Sequence, residues 1–315
     1  MIETCLIALL GLPGFGRQRI RKLVTGSENL RSAGISNAKE LFEFVCNKDN
    51  RALGEQQEYS LWLEAWEKAE SILQECQTHG ICVLGAGSIK FPERLKHIPN
   101  PPILLFAKGN LASLQQRSVA IIGTRTPSVD ALELGKLYSQ QILSAGFAVV
   151  SGLAKGCDTL AHQLSVAKKV PTIAFLPSGI LNLYPKSNAK LAQEICESGG
   201  CLLSEYIPRA EPQKYFFVER DRLQSGLAQG VFVIETDLDG GSMHTTKFAR
   251  RQKRKLACIY SREQNWKIPA REGNSYLVAS GQATAIFSTR ELDLWLQQLS
   301  DAPLADSDLL FPSFS

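Results

Sequence analysis

Two stretches decide the fold: Val119-Ala120-Ile121-Ile122-Gly123-Thr124-Arg125, and Ala148-Val149-Val150-Ser151-Gly152-Leu153-Ala154-Lys155-Gly156. Each opens with a short apolar run and breaks at glycine, the pattern of a strand buried on both faces. Between them, Leu132–Leu143 carries its apolar residues at helical spacing. The alternation continues with helix Thr159–Ala167, strand Thr172–Phe175, helix Ala189–Cys196, strand Cys201–Leu203 and helix Arg222–Ala228. Strand Val231–Ile234, helix Met243–Arg254 and strand Leu256–Ile259 close the series. Such a series predicts an α/β fold, a doubly wound, mostly parallel sheet with helices on both faces.

Upstream, residues 1–80 predict a small helical domain. The apolar run Leu6–Leu10 is broken by Gly11-Leu12-Pro13-Gly14-Phe15-Gly16 before Arg17–Leu23 resumes. A helix-hairpin-helix whose turn amides meet a phosphate fits this pattern, and so does a plain packing unit. Tyr59–Gln77 is an amphipathic helix with Leu61, Leu63, Trp66, Ala69, Ile72 and Leu73 at helical spacing, and Trp62 and Trp66 are expected in a core. The α/β domain is expected over 81–289, with 81–117 leading into it and Ile103–Phe106 forming a further strand. Residues 290–315 hold a helix, Leu292–Leu299, and a tail ending Leu309-Leu310-Phe311-Pro312-Ser313-Phe314. That tail end is expected to dock on its own chain or on a partner, and no winged-helix domain is expected.

The 315 residues are 44% hydrophobic and 21% charged, the balance of a soluble globular protein. No apolar run approaches the ~20 residues of a membrane span, and Met1-Ile2-Glu3 lacks a signal peptide's basic start. A cytoplasmic protein without membrane contact is expected. The eight cysteines show neither C-x-x-C pairs nor zinc-ligand spacing, so reduced thiols are expected and neither a metal nor a cofactor is. The net charge of +4 decides nothing by itself, although much of the basic excess lies in Lys247–Lys255. That run suits a solvated helix face and a polyanion contact alike.

Ligands of a doubly wound sheet bind at the carboxyl ends of its strands, beside the point where strand order reverses. Three such ends here favour anions: Gly123-Thr124-Arg125, the stretch from Ser151 and Gly152 to Lys155, and the loop running to Gly240, Gly241 and Ser242. Glycine lets a backbone approach a phosphate, helix N-termini aim amides at it, and arginine adds a forked, charged donor. Lys186 and Asn188 after the third strand, with Arg220 and Arg222 leading into the next helix, are expected at the same edge. No G-x-G-x-x-G or P-loop motif is present. Asp158 and His162, four apart on one helix, permit acid–base work, but helix stabilisation and local packing explain them as well. No catalytic residue is expected.

In order along the chain, these residues resemble the DNA-processing protein A family (DprA, also called Smf). The resemblance begins with Phe91-Pro92-Glu93-Arg94-Leu95 and Pro101–Gly109, then Val119–Arg125, where Thr124 replaces the serine of a Gly-Ser-Arg loop. It continues through Ser151–Asp158 with Ala161-His162, Tyr184-Pro185 with Asn188, Leu203–Tyr206, and Arg220-Asp221-Arg222 with Gly226-Leu227. Gly241-Ser242 with Thr246, then Gly273-Asn274, Leu277 and Gly281, complete it. The resemblance implies a Rossmann-like domain and a homodimer that binds single-stranded DNA in a basic pocket. It also implies a recombination mediator that helps load a RecA-type recombinase onto DNA in natural transformation. Carried onto this sequence, it makes Arg125 and Lys186 the leading phosphate contacts. Gly123, Thr124, Ser151, Gly152, Asn188, Gly241 and Ser242 then line the pocket.

Two departures stand out. Asp221 replaces the family's usual asparagine, placing a negative charge beside the pocket or against Arg220 or Arg222, and Leu256–Ser261 lacks the usual Pro-Gly ending. They leave open a DprA-like role in defence against foreign DNA. Phosphoribohydrolases that activate cytokinins share the fold class, but Asp239–Lys247 offers no counterpart of their loop glutamate.

Overall fold

A computed structural model describes residues 1–25, 29–30, 32–48, 57–263, 266 and 268–300, so the tail end at 309–314 lies outside the described residues. Among the described residues the chain divides into two compact units, Met1–Phe91 with Pro102–Phe106, and Pro92–Pro101 with Ala107–Ser300.

The first unit contains α1 (Ile2–Gly11), α2 (Arg17–Thr25), α3 (Ala38–Lys48), α4 (Gln57–Thr78), strand β1 (Cys82–Gly85) and the start of β2 (Leu104–Gly109). Its helices pack through large apolar side chains: Phe15 and Phe42 each meet the Trp62 ring edge-on at 5.5 Å. Trp62 and Trp66 are both buried, as their helical spacing indicates. In the turn between α1 and α2, Gly14 takes φ +78°. Arg19 donates to the Gly14 carbonyl and covers the Phe15 ring at 4.0 Å, so the turn is braced by its own side chains.

The second unit holds the parallel sheet. Along the chain come α5 (Glu93–Lys96), β3 (Ser118–Ile122), α6 (Val129–Ser144), β4 (Ala148–Ser151), α7 (Cys157–Ala167), β5 (Thr172–Phe175), α8 (Ala189–Glu197) and β6 (Cys201–Ser204). Then follow α9 (Lys214–Leu227), β7 (Gly230–Val233), α10 (Ser242–Arg251), β8 (Lys255–Ile259), α11 (Glu272–Ala279), β9 (Thr284–Ile286) and α12 (Thr289–Ser300). Within this unit the strand order is β6-β5-β4-β3-β7-β8-β9. Every neighbouring pair is parallel, with Ala120 beside Val231 and Ile122 beside Val233 where the order reverses.

Strand alternation sends Val119, Ile121, Phe232, Ile234, Ala257 and Ile259 into one core with Tyr138 and Ile142 of α6, Ala161 of α7 and Trp295 of α12. The intervening residues face the layer of α9 and α10, which pack on each other. Both faces of the sheet are therefore covered, and the doubly wound arrangement read from the sequence is present.

Several boundaries differ by a few residues: α6 begins at Val129 and not Leu132, and α10 ends at Arg251 and not Arg254. α9 begins at Lys214, eight residues before the predicted Arg222, because Arg220-Asp221-Arg222 is buried in the helix instead of leading into it. The segment 272–286, which has little periodicity, forms α11 and edge strand β9.

That closing segment fastens the sheet beside the reversal. Asn274 is fully buried; its Nδ2 donates to the carbonyls of Ile234 and Ile259 at 3.0 and 2.9 Å, and its Oδ1 accepts from the Thr236 amide at 2.8 Å. One side chain thus holds the outgoing ends of β7 and β8. Asn274→Ala strands three backbone groups and is expected to lower stability by about 2–4 kcal/mol. In urea denaturation the midpoint should fall with the m-value unchanged; an unshifted midpoint would contradict this role.

Candidate functional site

A sheet whose order reverses between β3 and β7 sends the chain leaving those strands to opposite layers, opening a crevice above them. Contacts between backbones fix its walls. The Thr124 amide donates to the Glu235 carbonyl at 2.7 Å, and the Cys157 amide donates to the Thr124 carbonyl at 3.2 Å. Gly156 has φ +74°, and a Cβ there would lie 2.5–2.7 Å from the Thr124 and Arg125 backbone, so this approach requires glycine. With both backbone groups of Thr124 engaged, Arg125 stands exposed at the crest of the loop.

Behind the loop lies a buried ionic brace. Glu235 accepts from the Ser128 amide and hydroxyl, both at 2.7 Å, and from Arg271 Nε at 2.8 Å. The Arg271 guanidinium lies 4.1 Å from the centre of the Trp266 ring and also reaches Asp130 at 3.3 Å. Glu235 and Arg271 thus answer each other's buried charge, which burial of an ion requires.

The crevice is a cavity of about 600 Å³. Gly123, Thr124 and Arg125 line one side, and Gly240, Gly241 and Ser242 line another. Helix α10 starts at that second side without a side-chain cap; its Met243 and His244 amides turn back to the Gly240 and Gly241 carbonyls at 2.9 and 3.0 Å, so the Gly241 and Ser242 amides are the ones suited to an anion. Lys214, Phe217, Arg220, Asp221 and Gln224 come from α9, Asp158 from α7, and His244 from α10. A neighbouring recess of about 200 Å³ shares Arg125, Tyr184 and Arg220 with it and adds Gly152, Lys155 and Pro185. Tyr184 and Phe217 meet edge-on at 5.4 Å, and the Arg125 guanidinium lies 5.4 Å from the Phe217 ring centre. Exposed cation and aromatic surface therefore occur side by side.

The inner wall is different, because its charges are buried. Arg220 donates from Nη1 to the Phe175 carbonyl at 3.0 Å, while its Nε lies 3.2 Å from Asp221 Oδ1. A side chain at position 152 would occupy the space of that guanidinium, so Gly152 is where Arg220 passes. Asp158 Oδ2 accepts from the Gly152 and Ala154 amides at 3.1 and 3.2 Å, holding the second loop. Burial raises the Asp158 pKa, and Arg220 opposes that shift.

The expected site residues therefore sort into three sets. Gly123, Thr124, Arg125, Gly152, Lys155, Arg220, Gly240, Gly241 and Ser242 line the cavity or its recess. Lys186 is exposed one residue beyond Pro185, beside the recess and not among its lining. Three others are held in the framework. Ser151 donates to the Ile121 carbonyl at 2.7 Å, and Asn188 donates to the Leu153 carbonyl and Thr159 hydroxyl at 2.9 and 2.8 Å. Arg222, 2% exposed, grips Glu205 at 2.6–2.7 Å, a strut from α9 to the end of β6 that leaves its guanidinium away from the cavity.

Sequence reasoning missed Lys214 and Phe217 because it began α9 too late; the basic and aromatic run Lys214-Tyr215-Phe216-Phe217 was the available signal. His162 is fully buried, with Nδ1 at 2.7 Å from Thr172 Oγ1, and burial, aided by Arg220, pushes its pKa down to about 3. It is a neutral packing residue.

Burial pushes Asp221 up to about 7; Arg220 opposes, Asp158 adds to the rise, and Arg125 and Gln224 lower it. An unfolded aspartate titrates near about 3.9. Below about pH 4 both states are protonated and the group contributes nothing. Between about pH 4 and the folded value the unfolded chain ionises alone, so stability falls as pH rises, and above it the penalty is constant. Asp221→Asn is thus expected to match the parent's Tm near about pH 4, exceed it increasingly up to about pH 7, then keep a constant lead. A lead that does not vary with pH would contradict the buried titration.

The DNA recombination-mediator protein A family model matches residues 82–296. DNA processing protein DprA of Bacillus subtilis is 34% identical over 195 residues, covering 62% of this chain and 65% of that protein. The chain spans about three fifths of the length of the curated relatives it matches. The structure of DNA processing protein A from Streptococcus pneumoniae superposes with a TM-score of 0.66 at 27% identity, covering 89% of this chain and 97% of that one. That of Helicobacter pylori, described for its single-stranded DNA binding mode, gives a TM-score of 0.62 at 29% identity, covering 69% of this chain and 96% of that one. With the family model spanning the whole sheet that builds the crevice, the chain belongs to the DNA recombination-mediator protein A family.

Proposed function

We propose that this protein binds single-stranded DNA by its phosphates in the crevice above β3 and β7 and catalyses no reaction on it. The observation that carries the proposal is the meeting of Arg125, the glycines of two loops and the uncapped start of α10 around one cavity. Backbone amides and a guanidinium recognise phosphate without regard to base. Tyr184 and Phe217 beside Arg125 offer ring surface to any base. Binding of this kind tolerates sequence and weakens steeply with salt. The single-strand binding described for the Helicobacter pylori protein supports the same choice of ligand.

In this proposal the protein is a cytoplasmic homodimer that helps load a RecA-type recombinase onto single-stranded DNA during natural transformation. Non-catalytic action is supported by the placement of His162 and Asp158, one sealed in packing and the other holding two loop amides.

Fluorescence anisotropy with a labelled oligothymidine across a salt series tests the site. Arg125→Ala is expected to weaken binding roughly tenfold or more, as loss of a charge-assisted bond does. The slope of log K against log salt should become shallower by about 0.7 for the one phosphate lost. Parent-like affinity and slope in Arg125→Ala would overturn the assignment.

A further inference from the structure

The cavity leaves most of the basic run Lys247–Lys255 unused, and the fold sorts its members. Arg254 turns inward, donating from Nε and Nη2 to the carbonyls of Ser225 and Gly226 at 3.3 and 2.8 Å. Arg250 donates to Gln282 at 3.0 Å, and Lys255 donates to Gln298 at 3.2 Å. Lys247 and Arg251 are exposed, and neither pairs with a carboxylate among the described residues.

Helical geometry puts these two in line with His244. At about 100° per residue, positions 244, 247 and 251 fall within an arc of about 60° and span about 10 Å of helix axis. The stripe begins at the cavity, because His244 lines it. Lys247 and Arg251 are like charges four residues apart, an arrangement that disfavours the helix carrying it. Arg251 in the last turn is offset by the helix dipole, but Lys247 lies too far from the end. A polyanion along the stripe relieves that repulsion.

We propose that the outer face of α10 is a second contact segment for single-stranded nucleic acid, receiving the strand as it leaves the cavity and holding two further phosphates on Lys247 and Arg251. The inference rests on the strand occupying the cavity. Charge complementarity and continuity with the cavity through His244 favour a nucleic-acid strand over an acidic protein surface.

The test compares the full chain with Lys247→Ala/Arg251→Ala and with a control of equal charge change, Lys136→Ala/Lys168→Ala, on exposed positions of the opposite helical layer. Labelled oligothymidines of about 5 and about 30 nucleotides serve as probes, one short enough for the cavity and one long enough to leave it. The α10 variant is expected to bind the short probe like the parent. It should lose roughly tenfold affinity for the long one, with a salt slope shallower by about 1.4 for two phosphates. The control should match the parent on both. Unchanged long-probe binding, the outcome expected if the stripe serves an acidic protein, overturns the inference; so does equal loss on both probes or the same loss in the control. Parent-like binding by Arg125→Ala in the same series is a separate result, because it removes the cavity and not the α10 stripe alone.

Discussion

The backbone contact between the loop after β3 and the start of α7 is the constraint on which the site depends. Thr124 uses its amide toward the Glu235 carbonyl and its carbonyl toward the Cys157 amide, joining three strand ends through one residue. Gly156 permits the approach because no side chain fits between it and the backbone of Thr124 and Arg125. The carboxyl ends of β3, β4 and β7 are thereby held at fixed spacing, and Arg125 is left at the crest with solvent around it. A residue with a Cβ at position 156 would push those ends apart, and the cavity wall would lose its shape before losing any charge.

A second level of order comes from charges that never reach solvent. Isolated buried ions are expensive, so each has to be matched within the fold. Arg222 with Glu205 ties α9 to the end of β6, and Arg271 with Glu235 and Ser128 ties the closing segment to the crevice. Arg220 is intermediate: it lies among Asp158, Asp221 and the Phe175 carbonyl yet lines the cavity. Its guanidinium is flanked by these two carboxyl groups and held by the carbonyl, so it is fixed in the wall. The positive character offered to a ligand therefore comes from the rim, from Arg125, Lys155 and Lys214, and from the amides at the start of α10.

This division explains what the sequence disclosed. The alternation of apolar runs with helical periods reports burial on both sheet faces, so strands such as Thr172–Phe175 and the order of elements were legible from Val119 onward. Glycine-rich strand ends were legible too, since few other residues let backbones meet. Polar residues at those ends were ambiguous, because the same side chain serves a ligand or the framework. Ser151 and Asn188 look like ligand contacts in sequence but hold neighbouring carbonyls in the structure. The error at α9 has the same origin: Arg220-Asp221-Arg222 suggests solvent, and Glu205, 17 residues away in the chain, supplies the main partner that lets Arg222 be buried, with Glu219 beside it.

The rim and the floor consequently carry different physical consequences. Rim cations sit in high dielectric, act through screened Coulomb forces and are largely interchangeable in their effect on encounter with a polyanion. Floor groups act through geometry: Asp158 holds the Gly152 and Ala154 amides, and Arg220 fills the space that Gly152 leaves open. Replacing a rim cation removes attraction without moving the backbone. Replacing a floor group leaves a buried partner unanswered and shifts the loops on which the rim stands. The site is best understood as an internally braced cradle carrying an exposed cationic edge, with its shape set by the first and its reach toward a nucleic-acid strand set by the second.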